Sequence, residues 1–395
     1  MTMKTRSKVT TNAARLALLT LPLAYLTGCG GDSYNTITDR VEAPEVAVIA
    51  AIGNDFLSSS ISIAESVEPG DIVNDYAASD RSDIAVAAQG NYFYRIGRFQ
   101  QDNITKYHFD TPAVAEWQFS VNSEGESGSN PYDIVFASDN KAYVLRYGSS
   151  KMWIVDPSVS AADEDQFKLG EIDLSAYDSA DGIPEMNAAV LSDGKLYVTL
   201  QGLDRANGYT PAQAYLVVID TTTDTEVNTG KGGNLPGMPL QVKNPYDLEL
   251  HNGKIYIAGA GNLFPTEYTG GVERINLSDY SSELLIDDSN AVGQITGLEV
   301  VSDNQAIIRA YASFGSESLY TFDLVNQTLS TAPFAGIQEQ NLKSVELDRE
   351  GRLWVGFGSA TAPMIQILNV ATEAVETELA LTKDPSQIVF VERGQ

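Results

Sequence analysis

The sequence predicts an all-β chain folded as a seven-bladed β-propeller, its N- and C-terminal strands closing one blade, with an export signal in front. Three observations predict this. A strand–turn–strand pattern recurs six times between residues 83 and 355. Each copy is followed by a third strand ending in Asp or Asn, and then by a polar outer strand. A seventh first strand, 387–390, stands without partners near the C-terminus, while two partnerless strands stand at 45–50 and 58–63. Composition agrees. The 395 residues suit two or three ordinary domains or one large repeat array, and a hydrophobic content of 43% is near the globular norm. A single Cys excludes a disulfide framework and multi-thiolate metal centres, and two His leave little scope for His-rich metal chemistry. With 53 acidic against 25 basic residues and a formal charge of -28, the chain is no nucleic-acid binder, because phosphate neutralisation needs clustered Lys and Arg.

The first element is the export signal, residues 1–28. Lys4, Arg6, Lys8 and Arg15 form a positive segment without acids. Leu16 to Tyr25 is an apolar stretch of about ten residues, too short to span a bilayer comfortably. It runs into Leu26-Thr27-Gly28-Cys29, which resembles the lipobox of bacterial lipoproteins. The resemblance implies cleavage before Cys29 and acylation of that residue, palmitate being the expected kind of chain. A plain secretory signal with an incidental Cys is the alternative. Several acyl chains anchor stably where one would not, at about 0.8 kcal/mol per buried methylene. Cleavage removes four positive charges, so the mature chain is more acidic still. Residues 29–44 read as the acylated Cys and a short polar tether, and 45–395 as the propeller domain. Gly30 follows the Cys. By resemblance to enterobacterial sorting, that permits the outer membrane, so the expected location is the cell envelope, lipid-anchored.

The inner hairpins come next. Their first strands are anchored at 83, 133, 187, 247, 297 and 344. Asn187-Ala188-Ala189-Val190 passes through Asp193-Gly194 to Leu196-Tyr197-Val198, and Asp247-Leu248-Glu249-Leu250 passes through Asn252-Gly253 to Ile255-Tyr256-Ile257. Gly297-Leu298-Glu299-Val300 and Ser344-Val345-Glu346-Leu347 open two further copies. Asp-Gly, Asn-Gly and the Asp-Asn pairs at 139–140 and 303–304 are expected to supply the positive φ of tight hairpin turns. Third strands such as Trp153-Ile154-Val155-Asp156 and Val217-Val218-Ile219-Asp220 end in an acceptor that bonds the backbone two residues on. Strand 387–390 needs partners, and 45–50 with 58–63 supply them, which removes an open sheet edge. Six or eight blades are the alternatives.

One blade carries a family pattern. Tyr197-Val198-Thr199-Leu200, then Leu216-Val217-Val218-Ile219-Asp220 and Thr221-Thr222-Thr223, resembles the YVTN-type, surface-layer-like β-propeller repeat. Leu200 replaces the last Asn, and other blades keep only Tyr-Val or an equivalent. The resemblance implies an exported binding protein, or a surface lipoprotein working beside an outer-membrane transporter; some such proteins capture cobamides.

In a propeller, ligands meet the face built by the loops leading into each inner strand and the loops after each second strand. The incoming loops carry Asn-Pro-Tyr-Asp twice, at 130–133 and 244–247, and Ile183-Pro184-Glu185-Met186. Pro restricts φ and presents the next side chain consistently; blade-junction packing is the competing explanation. The second-strand exits carry Arg146, Tyr147, Gln201, Arg205, Asn262, Arg309 and Tyr311. The expected binding set is therefore Tyr132, Arg146, Tyr147, Glu185, Gln201, Arg205, Tyr246, Asn262, Arg309 and Tyr311, suited to a polar, even anionic, organic ligand or a glycan. Local pairing of each Arg with an acid is the competing account. No catalytic residue is assigned, since no nucleophile elbow or phosphate loop occurs, and His251 sits in a hairpin turn on the opposite face. The expectation is a monomeric, non-enzymatic lipoprotein without a cofactor, which binds a small polar ligand or an outer-membrane transporter. The alternatives are a metal-dependent hydrolase or lactonase using Glu185, Asn187, Asp204 and Asn262, and a structural scaffold. Ca²⁺ at Asp163-Glu164-Asp165 or Asp287-Asp288 is a further alternative.

Overall fold

The computed structural model describes residues 45–178 and 181–393. The signal, Cys29 and the tether lie outside the described residues. Seven antiparallel sheets follow one another around a central channel. Blade 1 runs Ile84–Gln89, Tyr92–Gly97, Asn103–His108, Ala115–Ser120. Blades 2 to 6 begin with the innermost strands Pro131–Ser138, Met186–Ser192, Pro245–His251, Gln294–Ser302 and Leu342–Leu347. Blade 7 is built from both chain ends, in the order Ile72–Ser79, Ser59–Ala64, Glu45–Ile52, Asp384–Glu392. Val48 faces Val389 and Ile49 faces Ile388 across the closing ladder. The expected closure is thus present, with three N-terminal strands and one C-terminal strand. Among the described residues, no helix is long and apolar enough to cross a membrane.

Packing explains why the sheets form a ring. Seven apolar clusters sit between neighbouring blades, one at each junction. Between blades 1 and 2, Trp117 stacks on Phe119, and both meet Phe167. Between blades 6 and 7, Trp354, Ile365 and Leu379 pack on Ala47, Ile49 and Ile388. Each large buried side chain contributes about 1.5–3 kcal/mol, and only a closed ring buries both faces of every sheet. Outer strands such as Ala115–Ser120 and Val375–Ala380 are mostly exposed, matching their polar sequence.

The turns divide into two kinds. Asp193-Gly194 and Asn252-Gly253 take positive φ at both positions, as expected. Asp139-Asn140 and Asp303-Asn304 do not. Those two hairpins carry a register shift just before the turn, between Phe136 and Ser138 and between Val300 and Ser302. A bulge raises local twist, so the turn itself need not supply it.

Candidate functional site

Six innermost strands share one irregularity where they leave the incoming loop. A register shift falls at Pro131/Asp133, Met186/Ala189, Pro245/Asp247, Ile295/Gly297 and Leu342/Ser344, and opposite Ala50/Ala51 at Pro385/Gln387. Bulges re-aim side chains. Here they turn Tyr132, Asn187, Tyr246, Thr296, Lys343 and Ser386 toward the mouth of the channel, where all six line its walls. The repeated Asn-Pro-Tyr-Asp does this twice. Asn130 and Asn244 take left-handed φ of 47° and 52°, which Asn tolerates. The Asp then accepts the following amide, Ile134 to Asp133 at 2.7 Å and Leu248 to Asp247 at 2.9 Å.

The mouth holds a cavity of about 730 Å³, lined among others by Arg98, Tyr132, Asp133, Tyr147, Asn187, Gln201, Tyr209, Asn244, Tyr246, Asp247, Asn262 and Phe264. This is the size of an ordinary small-molecule site. One wall is a stack: Arg98 lies 3.7 Å over the Tyr132 ring, and Tyr132 stacks on Tyr147 at 4.0 Å. The Tyr147 hydroxyl donates to Gln201 Oε1 at 2.8 Å, and Gln201 Nε2 donates to the Pro245 carbonyl at 2.9 Å. Aromatic and amide groups from three blades are thereby held in place. A second cavity of about 540 Å³ continues from Tyr246, Asp247, Ser386 and Gln387 down the channel.

The channel is acidic. Glu249, Glu299 and Glu346 occupy the same register on blades 4, 5 and 6, two residues below Asp247, Gly297 and Ser344, and one carboxylate oxygen from each lies within 4.8 Å of the other two. Glu299 Oε2 accepts the Leu347 amide at 3.1 Å. Gly297 matters in this ring: a Cβ there would stand 3.3 Å from Asp247 Oδ2, which instead accepts the Leu298 amide at 3.0 Å. Burial, followed by mutual repulsion, raises Glu249 and Glu299 well above the usual carboxylate range. Burial and then Asp247 push Glu346 up to about 8, and burial pushes Asp133 up to about 6. Among the described residues this trio is the one group of acids placed to share a cation.

Of the expected binding residues, Tyr132, Tyr147, Gln201, Tyr246 and Asn262 line the mouth, and Arg309 lines the channel cavity. Tyr311 lines neither cavity. Three further placements differ from expectation. Arg146 is fully buried and faces away from the mouth: it donates to the Val121 and Lys151 carbonyls and pairs with Glu126. Glu185 is fully buried, accepting from the Leu203 amide at 2.8 Å and from Arg205 Nε at 2.7 Å, so it braces the long loop of blade 3. Arg205 is spent on that brace and on the Tyr147 carbonyl. Burial pushes Glu185 up to about 7. The local-pairing account holds for the other cations too: Arg98 pairs with Asp83 at 3.3 Å, Arg309 with Glu317, and Lys343 with Asp384 at 3.5 Å. Of the lactonase set, Asn187 and Asn262 both line the mouth, while Glu185 and Asp204 line neither cavity. Glu185 is occupied, Asp204 caps the Asn207 amide, and Asn187 donates to the Tyr246 carbonyl. Asp163 to Asp165 form a surface turn, while Asp288 is a buried acceptor for Gly270, and among the described residues neither acidic stretch makes a cation cluster. His251 sits in its turn beside Asp303, on the far face as expected.

Arg146→Ala tests the revised placement. It strands Glu126 and two carbonyls around a hole, so a loss of about 3–5 kcal/mol of stability is expected. Chemical denaturation should show it, with any ligand binding by the folded fraction retained.

Fold and mouth together define a seven-bladed β-propeller with a cupped, aromatic-lined opening and an acidic channel. No family model and no curated protein matches the chain. Its likeness is to solved structures. One, provisionally named a 6-phosphogluconolactonase, is from Bacteroides fragilis NCTC 9343: 12% identity, TM-score 0.56, covering 88% of this chain and 98% of that one. A quinonprotein alcohol dehydrogenase-like protein from Bacteroides thetaiotaomicron VPI-5482 shows 12% identity and a TM-score of 0.55 over 88% and 78% of the two chains. A functionally unknown protein from Desulfotomaculum acetoxidans DSM 771 shows 11% identity and 0.55 over 88% and 99%. At such identities the likeness speaks for the fold alone.

Proposed function

We propose that the protein is an exported, lipid-anchored propeller that captures a small polar ligand at its mouth, close to an envelope partner, without catalysing a reaction. The observation that carries this reading is the mouth cavity, walled by Tyr132, Tyr147 and Tyr246 and stiffened by side-chain hydrogen bonds. Preorganised aromatic walls favour binding because little freedom is lost on contact. The rim supports a nearby partner. Phe56, Leu57, Phe99, Tyr209, Phe264 and Phe314 are each more than half exposed, and all sit on second-to-third-strand loops of that one face. Such grouping of apolar side chains marks interaction surfaces. The anchor geometry is also consistent. Glu45 begins its strand beside Glu392, at the face opposite the mouth, so the chain enters the propeller away from the cavity.

The test is a thermal-shift panel on the chain from Gly30 onward, which keeps every described residue. A ligand that binds only the folded state raises the melting temperature. At least one class of small polar ligand is expected to do so, with chelator making no difference. Tyr246→Ala and Tyr132→Ala should remove the shift while changing the ligand-free melting temperature little. Ester or lactone turnover that is lost on chelation would reject the reading.

A further inference from the structure

We infer that the mouth and channel form one continuous site for an elongated organic cation, a diamine or polyamine, rather than for an anion. This rests on the capture reading above and narrows its ligand class. The three arginines of the expected binding set are all committed, Arg205 to Glu185, Arg309 to Glu317 and Arg146 to Glu126, and so is Arg98, to Asp83. The acids of the channel are not. Among the described residues, Asp133, Asp247, Glu249, Glu299 and Glu346 make no ion pair within 4.0 Å with a Lys or Arg. Arg98, Arg309 and Lys343 also line the two cavities, but each is paired with its own acid, so the unpaired carboxylates set the sign of the field and concentrate cations.

A second observation is independent of those charges. Asn244 lines the mouth cavity and is 7% exposed, yet its amide oxygen has no donor, while its Nδ2 donates to the Gly261 carbonyl at 2.9 Å. An unmade buried hydrogen bond is costly, so a donor brought to this oxygen would be favoured; the matching Asn130 oxygen of the first Asn-Pro-Tyr-Asp copy is unmatched as well, but Asn130 lines neither cavity. The Thr296 hydroxyl, on the wall of the channel cavity, is also unmatched.

Shape selects an organic cation over a bare metal ion. The two cavities, about 730 and 540 Å³, share Tyr246, Asp247, Ser386 and Gln387 and run on from one another. The acids on their walls form two tiers, Asp133 and Asp247 above, Glu299 and Glu346 below, with Glu249 beside the lower pair. Two residues along a strand separate the tiers by about 6.6 Å. An extended four-carbon chain between two ammonium groups spans a similar length. At the upper tier the half-exposed Tyr246 ring can cover an ammonium and its methylenes by cation–π and apolar contact, whereas both faces of Tyr132 are taken by Arg98 and Tyr147.

Calorimetry on the chain from Gly30 onward, at near-physiological salt, tests this. The probes are 1,4-diaminobutane, spermidine, butylamine, Ca²⁺, a neutral disaccharide and citrate. Diaminobutane and spermidine should bind at least about tenfold more tightly than butylamine, the equivalent of roughly 1.4 kcal/mol. Glu249→Gln/Glu346→Gln should weaken them by a similar factor, and Tyr246→Ala should too, with circular dichroism unchanged. Equal affinity for butylamine, or Ca²⁺ binding lost in the Glu variant without diamine binding, overturns the inference. If the disaccharide or citrate binds instead and Tyr246→Ala abolishes it, the mouth remains a capture site and only the cation assignment falls. If none of the probes binds, the cation assignment falls, and the capture reading stands or falls on the wider thermal-shift panel.

Discussion

A chain ending at Thr382 is expected to have no cooperative unfolding transition and to self-associate. The truncation removes Asp384–Glu392, the innermost strand of blade 7. Eight residue pairs of the closing ladder go with it, from Glu45↔Glu392 to Ile52↔Asp384. So do Ile388, a member of the cluster between blades 6 and 7, and Val391, a member of the one between blades 7 and 1. Burial of those side chains is worth several kcal/mol, and the ring cannot shut without the strand. Whole domains are stable by only about 5–15 kcal/mol, so the loss is comparable with the total. The newly bared edge of Glu45–Ile52 is long and apolar, a template for pairing with another chain. Calorimetry and size-exclusion chromatography check this. A sharp transition and a monomeric elution profile would mean that six blades hold together without the closure.

The second large effect is pH. Stability should rise as pH falls from about 8.5 to 6, by on the order of a few kcal/mol, or about 5 °C in melting temperature. The sign follows from the channel carboxylates. Their folded values lie above the unfolded ones: Glu346 at about 8, Asp133 at about 6, with Asp247, Glu249 and Glu299 also raised. Between the unfolded and folded values the native state holds more protons, so stability falls with rising pH and levels off above the highest folded value. The groups facing the cluster include Arg309 and Lys343, both already paired, which leaves the repulsion uncompensated. Glu346→Gln removes one charge of the cluster without removing its volume. It should stabilise the protein at pH 8 and flatten the slope. A melting temperature that climbs between pH 6 and 8.5, or a variant with the parent slope, would exclude these acids as the cause.

Both effects bear on function. A ring that depends on its last strand keeps the mouth loops in fixed relation, and a channel that retains protons at neutral pH is poised to exchange them for a bound cation. The acids of that channel were legible in part. Leu248-Glu249-Leu250, Leu298-Glu299-Val300 and Val345-Glu346-Leu347 place a Glu at one register of three successive copies, in strands otherwise apolar. Aligning the copies by register, rather than by strand order, isolates them. The Asn-Pro-Tyr-Asp repeat likewise marked Tyr132 and Tyr246 before any coordinates, because Pro and a left-handed Asn impose the same local path wherever they recur. Arg146 and Glu185 could not be placed in this way. Residues on adjoining loops look alike in sequence, and whether a guanidinium faces the mouth or a neighbouring acid depends on partners 20 residues distant, Glu126 in one case and Arg205 in the other.

The sequence alone determined the architecture: strand period, turn chemistry and repeat spacing are local, and seven copies with a split one admit few closures. It also determined that the incoming and second-strand loops share one face, since that follows from the order of strands within a blade. Tertiary structure alone decided the character of the site. Charges far apart in the chain either neutralise one another across a loop or crowd together on the axis, and only their positions in space decide between these outcomes. In this protein the arginines are neutralised and the glutamates are crowded together, so the mouth expected to present arginines opens instead onto an acidic channel walled by aromatic rings.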